Sequence, residues 1–102
     1  MNAQQQKQIR IQLNAVKRLL KEKSMYQKEL EEYQEKIDKS GYEPGSSDMK
    51  RLVNLHTETE QALLDVEKSI GDFKLRLANA IKEAKEQFPD DPLIVESVAL
   101  LK

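Results

Sequence analysis

Any active site in this chain would have to be built around His56, the only histidine among 102 residues, and there is no cysteine. A catalytic histidine needs a nucleophile or a second acid/base group beside it in a pocket. Val53 stands three residues before His56, so the Glu-x-x-His pattern of di-iron helical bundles is missing. No phosphate-binding loop, dinucleotide fingerprint or calcium loop occurs. Without thiols there are no disulfides, zinc–thiolate sites or cysteine nucleophiles. Carboxylates such as Glu29, Glu31 and Glu32 are distributed around a helix and read as a solvated face. No enzymatic activity, metal or cofactor is expected. His56 reads as a polar residue that sets register within a helical seam.

The remaining chemistry is charge. Residues 1–28 carry seven basic side chains (Lys7, Arg10, Lys17, Arg18, Lys21, Lys23 and Lys28) against Glu22 alone, a balance of +6. The rest carries ten basic and seventeen acidic residues, −7, so the whole chain is −1. Arg10, Lys17, Lys21 and Lys28 recur at steps of seven, four and seven, which form one outward line on a helix. A basic end suits an acidic partner; the competing reading is a dipolar molecule whose charges neutralise one another. Nucleic acid is not expected, because no stacking aromatics interleave with the cations. No apolar run approaches the roughly 20 residues that span a bilayer. The opening MNAQQQKQIR lacks the apolar middle of a secretory signal. No membrane association is expected, and the expected compartment is the cytoplasm.

The elements that carry these residues follow from composition and period. Charged residues make up 34%, hydrophobic ones 38% and aromatic ones 5%, which suits helices burying one stripe each. The turn cluster Ser40–Ser47 and the Pro-rich Phe88–Pro92 break the chain. A first helix is predicted over about 5–39, with Ile9, Val16, Lys23, Leu30 and Ile37 at position a and Gln12, Leu19, Tyr26 and Tyr33 at d. Leu13 and Leu20 widen its early stripe, whereas Gln27 and Gln34 leave the later half a narrow seam. The biased QQQKQ start is expected to fray. A second helix over about 48–87, capped by Ser46 or Ser47, places Met49, His56, Leu63, Ile70, Leu77 and Ala84 at a. Its d positions are Leu52, Thr59, Val66, Phe73 and Ala80, and Ile81 and Phe88 widen its late stripe.

The two wide stripes meet if the helices run antiparallel, with layers such as Leu19–Ile70 and Val16–Phe73. A short third helix over about 92–102, capped by Asp91 with Pro92 at its first position, is apolar at seven of eleven residues and should cover those stripes. The expected fold is all-α: an elongated antiparallel three-helix bundle, two long helices in a coiled-coil hairpin plus a short C-terminal helix, forming a single domain over residues 1–102.

The run Val16-Lys17-Arg18-Leu19-Leu20-Lys21-Glu22-Lys23, with Met25-Tyr26 and Lys28-Glu29 after it and Gln8-Ile9-Arg10-Ile11 before it, resembles the first helix of the tubulin-binding cofactor A family. Asp48-Met49-Lys50-Arg51 is similar to the start of that family's second helix. The resemblance implies a small non-catalytic chaperone that uses no nucleotide. It would hold β-tubulin after release from the cytosolic chaperonin and before heterodimer assembly, in the cytoplasm and associated with the cytoskeleton. The dense third helix and the thin seam leave apolar area that a second copy could cover, so the sequence allows a monomer or homodimer. Tubulin is acidic, so a basic outer face fits it. The candidate partner contacts are Arg10, Lys17, Arg18, Lys21 and Lys28, with Tyr26 and Tyr33 as seam phenols that reach solvent at the thin end. The alternative is a generic antiparallel coiled-coil adaptor joining larger assemblies.

Overall fold

The computed structural model describes all 102 residues. Four helices follow in order: α1 (Ala3–Lys39), α2 (Ser47–Ile81), α3 (Ala84–Gln87) and α4 (Pro92–Leu101). There is no strand. The all-α plan of two long antiparallel helices and a short C-terminal helix is therefore observed. The helices divide into two compact units: Met1–Leu20 with Ser69–Lys102, and Lys21–Lys68.

Helix starts are set by side chains that satisfy free backbone amides. The α1 start lies earlier than expected, at Ala3, and the helix runs through the QQQKQ stretch. The Gln5 amide donates to Asn2 Oδ1 at 2.8 Å, and the Asn2 amide donates back to Gln5 Oε1 at 3.0 Å, a reciprocal capping box. Ser46 caps α2, its Oγ accepting from the Met49 amide at 3.2 Å. Asp91 caps α4, its Oδ1 accepting from the Leu93 amide at 2.9 Å, with Pro92 next in the chain.

The first unit holds the core. Ile9, Leu13 and Val16 of α1, Leu77 and Ile81 of α2, Ala84 of α3 and Ile94 of α4 pack as one buried cluster. Leu20, Phe73, Ala80, Leu93, Val98, Leu100 and Leu101 close around it. The C-terminal helix thus covers the two wide stripes, as the pattern required. Its buried hydroxyl, Ser97, donates to Leu93 O at 2.7 Å and so carries no unpaired polar group into the core.

One boundary differs from expectation. The second helix ends at Ile81 rather than near Gln87, and a turn at Lys82–Glu83 precedes α3. The Lys82 amide bonds Asn79 O and the Glu86 amide bonds Glu83 O, both tighter i→i−3 contacts. This tightening changes the screw of the chain. Ala84 still reaches the core, but Phe88 leaves helical geometry (φ −131, ψ 56) and is 38% exposed, so it is not part of the stripe.

In the second unit only two long helices face each other, and burial is correspondingly shallower. Thr59 and Val66 are buried, while Tyr26, Leu30, Tyr33, Ile37, Leu52, His56 and Leu63 are half-buried. Gln27 and Gln34 are exposed, as a narrow seam requires. The connection between the helices turns on Gly41 and Gly45, with φ of +68 and +84, values that favour glycine over any side chain with a Cβ.

Three measurements check this packing. Leu77, fully buried, should lose about 2–5 kcal/mol on substitution by Ala, read from chemical denaturation. Gly71 lies inside α2, and a Cβ there would meet nothing within 4 Å. Gly71→Ala should therefore raise stability by about 0.4–1 kcal/mol, and a loss would mean that the glycine is packed closely. Truncation after Gln87 should lower the melting temperature or cause aggregation by uncovering the core of the first unit; an unchanged melting temperature would refute the docking of α4.

Candidate partner-binding surface

The surface is defined by what the helices do not use for packing. On α1 within the first unit, Ile9, Leu13 and Val16 face the core, which leaves Arg10, Lys17 and Arg18 exposed. In the second unit, Lys21 and Lys28 are exposed, while Tyr26 and Tyr33 are half-buried on the seam side. The seven predicted contacts therefore fall into two sets. The five cations are exposed in their respective units. The phenols do not lie among them; they belong to the seam.

The structure adds a partner for one cation. Lys17 Nζ lies 2.7 Å from Glu96 Oε1 of α4, with both side chains about half exposed. An exposed pair of this kind contributes only about 0–1 kcal/mol. It nevertheless neutralises Lys17 and makes it a less available docking charge than Arg10 or Arg18. This pairing is implicit in the sequence, because the same helix that covers Leu13 and Val16 must bring its flank beside Lys17. The periodicity alone does not say which acidic residue arrives there.

Tyr33 has a second environment that periodicity does not reveal. The Lys36 ammonium sits 5.8 Å from its ring centroid, a cation–π geometry. Tyr33, Lys36, Tyr42, Arg51 and Leu52 border an open cleft of about 480 Å³ beside the 40–46 connection. Asp48 also borders it, and Lys39 is held by Glu35 at 2.6 Å, so its charge is mixed.

No catalytic constellation forms around His56. Its Nδ1 lies 3.0 Å from Glu60 Oε1, one helical turn along the same helix. No group of three His, Cys, Asp or Glu side chains is placed to hold a metal ion. No helix is long and apolar enough to cross a membrane.

Paired amphipathic helices whose free faces carry charge make this an all-α protein, with exposed side chains as its candidate contacts. More specifically, the chain belongs to the tubulin binding cofactor A family, whose model matches residues 4–101. That family is one of non-catalytic chaperones, and the chain is not an enzyme. The tubulin-specific chaperone A of Homo sapiens is 32% identical over 100 residues, spanning 92% of this chain and 93% of the relative. Those of Bos taurus and Oryctolagus cuniculus are each 30% identical over the same share of both chains. No solved structure gives a significant match.

The Lys17–Glu96 contact can be tested directly. Lys17→Glu should destabilise the protein more than Lys21→Glu, because it sets a carboxylate against Glu96. The difference should be about 1 kcal/mol or less, and Glu96→Lys in the same chain should restore it. Equal melting temperatures for both single variants would show that the pair contributes nothing.

Proposed function

We propose that this protein is a tubulin-folding cofactor that binds and holds β-tubulin after its release from the chaperonin and before heterodimer assembly. The reading places it in the cytoplasm, associated with the cytoskeleton, acting as one domain without nucleotide or cofactor. One observation carries it: the family match extends over residues 4–101, and the relatives named tubulin-specific chaperone A align over more than nine-tenths of both chains. Likeness therefore covers both long helices and α4, not one shared coiled-coil segment. The charge pattern is compatible with it. No acidic residue occurs before Glu22, while five cations do, which suits an acidic client.

Holding a client without catalysis requires a surface present before the client arrives. A preformed helical face supplies this, because little ordering entropy is lost on binding. The test is to mix the protein with β-tubulin discharged from chaperonin and resolve the products on a native gel. A discrete complex should form without added nucleotide and weaken as salt is raised. If β-tubulin stays with the chaperonin or aggregates at the same rate with and without the protein, the reading fails.

A further inference from the structure

The ion pair of Lys17 shifts attention to the adjacent line on α1. Lys7, Ile11, Asn14 and Arg18 follow steps of four, three and four, which return to one line on a helix of about 3.6 residues per turn. All four are exposed, and Ile11 is 49% exposed. Neither Lys7 nor Arg18 takes part in an ion pair. The line lies wholly within the first unit, where nine basic residues face six acidic ones, a balance of +3. We propose that Lys7, Ile11, Asn14 and Arg18 form the docking line for the acidic protein client, with Ile11 as an apolar anchor between two free cations.

The physical case rests on charge complementarity arranged around an apolar centre. At about 1.5 Å rise per residue, Lys7 and Arg18 stand roughly 16 Å apart along the axis, with Ile11 between them. A client surface with an apolar recess flanked by carboxylates matches this order. Seating Ile11 excludes water, and exclusion of water strengthens the flanking charge pairs. Asn14 supplies both a donor and an acceptor in the same line. The equivalent unit of a second copy does not fit, because it carries the same +3. A nucleic acid would need stacking aromatics, and the line has none. A lipid surface would need a continuous apolar face, and the line has one apolar residue.

This inference rests on the reading of the protein as a β-tubulin cofactor, so the test separates the two. The full chain, as wild type and as Lys7→Glu/Arg18→Glu, Ile11→Gln and Lys85→Glu variants, is titrated with β-tubulin at low and moderate salt, with circular dichroism confirming each fold. Lys85 is an exposed cation of the same unit but off the line. Lys7→Glu/Arg18→Glu should slow association about tenfold or more and flatten the salt dependence. Ile11→Gln should chiefly accelerate dissociation, and Lys85→Glu should behave as wild type. Unchanged binding by both line variants overturns the inference and leaves the functional reading standing. An equal loss in Lys85→Glu shows that net charge alone matters and also overturns it. Failure of the wild type to bind overturns both. Cosedimentation with phosphatidylserine vesicles that requires Lys7 and Arg18 would assign the line to a lipid surface instead, against the inference.

Discussion

Everything in the first unit depends on covering one apolar patch. Ile9, Leu13 and Val16 from α1 and Leu77 and Ile81 from α2 present more apolar surface than two helices can hide from each other. Ile94 of α4 completes the seal and is itself 1% exposed. Burying a side chain of that size contributes about 1.5–3 kcal/mol. The Lys17–Glu96 pair, which joins α1 to the same helix, contributes about 1 kcal/mol at most. Apolar burial therefore docks α4, and the ion pair only trims its orientation. The device at the head of α4, Asp91 and Pro92, starts the helix where Ile94 can enter the core.

Once the apolar patch is covered, the outward faces are fixed by default. The cations of α1 are exposed because the alternate residues of its stripe are buried, not because any local feature selects them. This is why a charge line read from spacing alone is under-determined. Arg10 and Lys17 belong to one line by periodicity, yet the packed helix brings Glu96 to Lys17 and to no other cation of α1. Packing edits the electrostatic surface that the pattern implies.

Much of the architecture was legible in the heptads. Positions a and d of the long helices are all buried or half-buried up to Ala84, and the exposed Gln27 and Gln34 mark where the stripe narrows. The misreadings have local physical causes. The Asn2–Gln5 capping box lies in a stretch that looks merely biased in composition, so periodicity alone puts the start of α1 later than Ala3. The tightened turn at Lys82–Glu83 has no proline or glycine to announce it, and it displaces Phe88 from the stripe that an unbroken helix would give it. The candidate site was legible only as a set of residue types. Tyr26 and Tyr33 occupy d positions, and they are half-buried on the seam as that register predicts.

The absence of acidic residues before Glu22 bears on how such a surface works. In the second unit, eight basic and twelve acidic residues are interspersed, and Lys39 pairs with Glu35 within one helix. Such pairs are internally compensated, and a client would have to displace an existing partner to use them. Lys7, Arg10 and Lys17 have no acid at one turn's spacing on α1, and Arg18 makes no ion pair with Glu22 four residues on, so compensation of these cations comes from another element or another molecule. Within the first unit, α4 provides that compensation once, through Glu96. The cations left over are the ones whose pairing with an acidic client gains most, because binding there breaks no existing contact. On the proposed reading as a holding chaperone, this favours a line of free charges around an exposed apolar residue over the mixed-charge cleft beside Tyr33.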